Sequence, residues 1–170
     1  MAYGHGISVN LVQLARAYTI FATDGELKSA TLFKAAGPAA GRPVIGPGTA
    51  RAVRKMLEMA VQPGGTAPRA QVPGYRVGGK TGTAHKLEGR GYGNKYVSSF
   101  VGFAPASHPR LIVAVMLDEP SAGQYYGGTV AAPVFSTIMG AALRMLTIPT
   151  DIPLDNVILP PPGSEVGEET

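Results

Sequence analysis

Lysine, threonine and glycine crowd together in Val77-Gly78-Gly79-Lys80-Thr81-Gly82-Thr83-Ala84, and two unrelated chemistries can be built from that stretch. Counted from Gly74, the run Gly74-Tyr75-Arg76-Val77-Gly78-Gly79-Lys80-Thr81 satisfies G-x-x-x-x-G-K-[ST], the pattern of a loop whose backbone N–H groups cradle phosphates. Taken as an extended strand, the same residues alternate, so Thr81 and Thr83 project to one face and Lys80 to the other. Two hydroxyls on one side can grip a carboxylate. Gly82 between them leaves bare backbone along which an extended ligand could lie as a further strand. Lys80 adds a positive charge beside a nucleophile or carboxylate.

The neighbours favour the strand. A phosphate loop needs a buried strand before its first glycine and a helix starting at the lysine. Here Pro73 directly precedes Gly74, and Ala70-Gln71-Val72 is short and polar. Gly82 and Thr83 make a poor helix start after Lys80-Thr81. Asp118-Glu119-Pro120 closes a meander strand rather than ending a parallel one. Nucleotide binding stands as the lesser alternative.

Elements that would position such a site are legible along the chain. Apolar residues Leu11, Leu14, Ala15, Tyr18, Phe21 and Ala22 predict an amphipathic helix over 7–22, with Ser8 as N-cap and Asp24-Gly25 as the stop. A second helix is expected over 49–61, with Ala50, Val53, Met56, Leu57, Ala60 and Val61 inward. The period then changes, and 76–87, 96–103 and 110–117 read as strands joined by links short enough for an antiparallel meander. A last helix starts near Pro133 and runs to about Leu146. The fold class is therefore α+β: an antiparallel sheet with flanking helices. The stripe of the first helix has no obvious partner, as though the domain were cut on its N-terminal side. After Ile148 the prolines, acidic residues and missing periodicity predict a mobile tail, 148–170, distinct from a folded unit over 1–147.

Composition narrows the function further. The chain has 170 residues, 45% hydrophobic and 15% charged, with 23 glycines and 15 prolines. This is a globular profile rich in turns. The net charge is +4, yet the 15 basic and six acidic residues before Ile148 leave that part at +9. No basic run is interleaved with aromatics, which argues against nucleic-acid binding. There is no cysteine, and His5, His85 and His108 lack ligand spacing, so neither a metal nor a cofactor is expected. No signal peptide opens the chain, and the longest apolar run, Leu111 to Leu117, is too short to span a bilayer. A membrane anchor, if the parent protein has one, would lie outside these residues.

Several short motifs occur in order: Tyr3-Gly4-His5-Gly6-Ile7-Ser8-Val9, Leu14-Ala15-Arg16-Ala17-Tyr18, Gly64-Gly65-Thr66-Ala67, Val77–Ala84 and Phe100-Val101-Gly102-Phe103-Ala104-Pro105. Asp118-Glu119-Pro120, Tyr125-Tyr126-Gly127-Gly128 and Ala131-Ala132-Pro133-Val134-Phe135 follow. Together they resemble the transpeptidase domain of class B penicillin-binding proteins, especially the division-septum type, over almost all of 3–147. The resemblance implies a fold of the penicillin-binding transpeptidase and serine β-lactamase kind. It implies a periplasmic parent on the inner membrane that cross-links peptidoglycan: a serine attacks a stem peptide ending in D-Ala-D-Ala, and β-lactams trap that serine.

By the same resemblance Lys80 joins the polar network around the nucleophile, and Thr81 and Thr83 hold the substrate or drug carboxylate beside Gly82. The Thr83 N–H would serve as an oxyanion-hole donor, and Tyr125 and Tyr126 as aromatic walls. His85 and Tyr92 lie near the strand but receive no role. The nucleophile itself is missing. None of the eight serines (8, 29, 98, 99, 107, 121, 136, 164) is followed by lysine at the third position, as S-x-x-K requires. Ser8-Val9-Asn10 matches S-x-N but sits at a helix start with no lysine base nearby, so it is expected to be a decoy. Both catalytic motifs would belong upstream, on a partner half of the same domain, and this chain should not acylate by itself. Division proteins are conceivable further partners. A non-catalytic module that binds peptidoglycan or proteins is the alternative from another class.

Overall fold

The computed structural model describes residues 7–34, 36–88 and 91–159. Helix α1 (Leu11–Ala22) begins at Asn10, whose side-chain oxygen accepts from the Gln13 N–H at 2.8 Å while Gln13 Oε1 accepts from the Asn10 N–H at 2.9 Å. The reciprocal pair satisfies two otherwise orphaned donors. The cap is therefore Asn10 rather than the expected Ser8, and the Asn10 side chain is committed to a structural bond. At the other end, Arg54 donates to the carbonyls of Phe21 and Thr23 at 2.8 and 2.9 Å, closing the helix C-terminus with a cation.

A hairpin that periodicity does not signal follows: β1 (Glu26–Lys28) pairs antiparallel with β2 (Gly41–Pro43). Three-residue strands around a long connection carry too little alternation to read. Gly25 makes the entry possible. Its φ is +96°, and a β-carbon there would stand 2.1 Å from the Ile45 carbonyl oxygen. Helix α2 (Pro47–Met59) starts with a proline in its first turn and leads through a 3₁₀ turn (Pro68–Ala70) to the main sheet.

That sheet is the expected meander, β3 (Gly78–Glu88), β4 (Gly91–Ala104) and β5 (Leu111–Asp118) in the order β3-β4-β5, all antiparallel. Its strands run further toward the β3–β4 turn than the glycines there suggest. Register places Phe100 opposite Thr81 on one side and Val115 on the other. Those residues share a face, and α4 (Ala132–Met145), preceded by the single turn α3 (Gly127–Val130), covers it. Phe100, Phe135, Met139 and Leu143 are completely buried there, the two phenylalanine rings meeting edge-on at 4.7 Å. Each such side chain contributes about 2–3 kcal/mol by leaving water.

Val101 and Phe103 point the other way and are buried too. On that face α1 lies against β4 and β5, so the apolar stripe of α1 does have a partner within the chain, contrary to expectation. No residue of α1 is fully buried, however, and Ile7, Val9 and Val12 remain exposed around its start. The segment after Ile148 also departs from expectation. Residues 148–159 are not a free tail. They run back over the 71–76 turn and are hydrogen-bonded to it. Composition could not disclose this, because the bonds use backbone groups and long-range partners. Residues 160–170 lie outside the described set.

Candidate active site

β3 has β4 as its single strand neighbour among the described residues, so the opposite edge of Lys80–Thr83 is open. The phosphate-loop alternative fails here on geometry: Lys80 lies inside an eleven-residue strand, not at a helix N-terminus. Alternation puts Thr81 and Thr83 on the Phe100 face and the Lys80 stem on the other, as expected. The ammonium does not stay there. Its four-carbon stem bends around the open edge, and Nζ donates to Thr81 Oγ1 at 2.7 Å and to Thr66 Oγ1 at 3.2 Å. Thr81 Oγ1 in turn lies 3.3 Å from Thr66 Oγ1. One ammonium and two hydroxyls thus form a compact, partly exposed cluster suited to an anionic group.

Gly82 sits between the two threonines, opposite Ser99. A β-carbon at Gly82 would come 2.6 Å from Ser99 Oγ, so the bare strand is also what lets Ser99 approach and donate to the Gly82 carbonyl. Thr83 Oγ1 accepts from the Gly127 N–H at 3.1 Å, which ties the strand to the first turn of α3. Gly127 and Gly128 are buried against backbone. β-Carbons there would stand 2.4 Å from the Ser99 carbonyl oxygen and 2.1 Å from that of Thr66.

Tyr125 and Tyr126 approach this corner together, with ring centroids 4.5 Å apart. The stack extends beyond them. Tyr96 of β4 lies parallel to Tyr125 at 3.9 Å and 11°, and the His85 ring packs on Tyr96 at 4.4 Å. Buried Ser98 donates to the Tyr125 carbonyl and holds the loop onto the sheet. Sequence reasoning missed Tyr96 and did not single out Thr66. Tyr96 enters through cross-strand register, sitting opposite His85, which a linear pattern does not reveal. The side chain of Tyr92 lies outside the described set.

Comparison with known proteins identifies the family. The model of the penicillin binding protein transpeptidase domain matches residues 1–140, and the chain belongs to that family. It is 47% identical over 157 residues to a probable peptidoglycan D,D-transpeptidase, PenA, of Neisseria flavescens, covering 92% of this chain and 39% of that protein. The peptidoglycan D,D-transpeptidase FtsI of Escherichia coli is 41% identical over 152 residues, covering 88% of this chain and 26% of its own length. Among solved structures, the transpeptidase domain of Burkholderia pseudomallei penicillin-binding protein 3 superposes with a TM-score of 0.84 at 57% identity. That match covers 90% of this chain and 47% of the other. The chain thus spans well under half the length of these curated relatives.

Proposed function

We propose that this chain supplies one wall of the acyl-transfer site of a peptidoglycan D,D-transpeptidase, the C-terminal part of its transpeptidase domain. The observation that carries the proposal is the open edge of β3, where Lys80 Nζ sits on Thr81 Oγ1 and Thr66 Oγ1 beside a side-chain-free Gly82. A stem peptide ending in D-Ala-D-Ala would lie along that edge, its carboxylate held by Thr81 and Thr83 near the lysine charge. The Thr83 N–H would stabilise the oxyanion, and Tyr125 and Tyr126 would wall the cleft. β-Lactams, mimics of the dipeptide, would occupy the same groups.

The nucleophile comes from the upstream half of the domain, which carries S-x-x-K and S-x-N. In the parent the serine oxygen attacks the penultimate carbonyl and the terminal D-alanine leaves. An amine of a neighbouring strand then displaces the serine from the acyl-enzyme. The parent acts on the periplasmic side of the inner membrane, anchored by a helix elsewhere in its sequence, and is of the division type. Among the described residues of this chain no helix is long and apolar enough to cross a membrane.

The test is complementation. Mixed with the upstream segment of its own reading frame, the chain should restore capture of a fluorescent penicillin, and Lys80→Ala should remove that capture without preventing association. Capture unaffected by Lys80→Ala would overturn the assignment of β3 as the site strand.

A further inference from the structure

The family model ends at residue 140, yet the chain continues into a segment bonded back onto the run that feeds β3. Ile148 accepts from the buried Tyr75 hydroxyl at 2.6 Å. Asp151 accepts from the Arg76 N–H at 2.8 Å and also from Ser107 in the β4–β5 connection. The Asp151 and Ile152 N–H groups both point to the Gly74 carbonyl, at 3.1 and 3.3 Å. Asn156 takes the Gly74 N–H at 2.7 Å, and its amide reaches the Val72 carbonyl at 3.4 Å. Gln71, almost fully buried, closes the far end by donating to the Ile158 carbonyl at 2.8 Å and accepting the Ile158 N–H at 3.0 Å.

Gly74 shows how closely the segment is seated. Its φ is +82°, and a β-carbon there would meet Thr150 Cγ2 at 2.7 Å and Leu154 Cδ2 at 2.9 Å. Pro149 and Pro153 restrict the free chain and lower the entropy lost on docking.

We propose that residues 148–158 are a strap that positions the Thr66–Arg76 segment and, through it, Lys80 and the start of β3. The inference rests on the assignment of Lys80 to the site. Two routes carry it. Gln71 donates to the Pro68 carbonyl at 2.9 Å as well as to the strap, so the amide that grips Ile158 also holds the 3₁₀ turn immediately after Thr66. Asp151 fixes Arg76, two residues before β3 begins. Thr66 is one of the two hydroxyls that hold the Lys80 ammonium. Loosening the strap frees that hydroxyl to drift while leaving the β4–β5 pairing in place. Residues of the strap are positioning residues and touch no ligand.

Amide hydrogen exchange on the chain tests this without any penicillin chemistry, so the inference and the functional assignment can fail separately. A chain ending after Leu159 should match the parent. A chain ending after Thr147, and the point variants Asp151→Ala and Asn156→Ala, should exchange at least tenfold faster over 66–77 with β4 and β5 unchanged. The carbon-13 signal of reductively methylated Lys80 should shift in the same variants. In the complemented enzyme they should slow penicillin acylation, and Asp151→Asn should restore part of the rate. If truncation melts the whole chain, the point variants decide: local loosening supports the strap, whereas uniform acceleration overturns it. Unchanged protection over 66–77, or an unmoved Lys80 signal, overturns it as well.

Discussion

Lys80 owes its position to the edge on which its strand lies. A lysine inside a sheet would keep its ammonium on its own face, but here the stem turns around the open side to reach Thr81 and Thr66. Thr66→Val removes one of those acceptors while keeping the shape. In the complemented enzyme it should slow acylation about tenfold, the scale of one hydrogen bond to a charged group at a partly exposed site. Rates within twofold of the parent would show that Thr66 merely packs. Tyr18 offers a test at the same scale but away from the site. Burial pushes its phenol up to about 12 from 10.0. Above pH 10 the unfolded chain therefore loses a proton that the folded chain keeps, and stability should fall between pH 10 and 12. Denaturant midpoints measured across that range should drop, and Tyr18→Phe should flatten the drop. Lys80, Thr81 and Thr83 could be picked from the sequence because their spacing is local. Thr66 and Tyr96 could not, since they arrive through a loop and a neighbouring strand.

Among the elements, α4 and β4 form the joint on which the site depends. Phe135 is wholly buried against Phe100, whose backbone neighbour across the ladder is Thr81. Phe135→Ala should cost about 3–5 kcal/mol, read as a lower denaturant midpoint at unchanged slope. The turn α3 is more demanding. Gly128→Ala places a methyl 2.1 Å from the Thr66 carbonyl oxygen, so either α3 or the Thr66 loop must move. Amide exchange should rise in both, and penicillin capture by the complemented enzyme should fall more than tenfold, a transition-state loss above about 1.4 kcal/mol. Helices α1, α2 and α4 and the meander are visible in hydrophobic periodicity because each turns an apolar face toward a neighbouring element, although Met56, expected inward on α2, is exposed. The β1–β2 hairpin is not visible in this way, because it buries almost no such face. The strap is hidden for a related reason: prolines and acids read as tail, while its attachment lies in backbone groups, the Asn156 amide and one aspartate that serves two donors.

At the scale of the whole molecule, the candidate site lies on an edge strand of the main sheet. Two layers of helix enclose a three-stranded sheet, and both β3 and β5 end that sheet among the described residues. The transpeptidase domain it superposes on is about twice as long, the match covering 47% of it. The proposed assembly of the site from two halves of one domain would account for a chain that carries lysine, threonines and aromatic rings, yet no serine in an S-x-x-K setting. Intact-mass spectrometry after treatment with penicillin tests that division of labour most directly. The adduct should appear on the upstream segment when the two pieces are mixed, with this chain unmodified alone or in the mixture. A stoichiometric adduct on this chain would contradict the account, because its own serines would then supply the nucleophile.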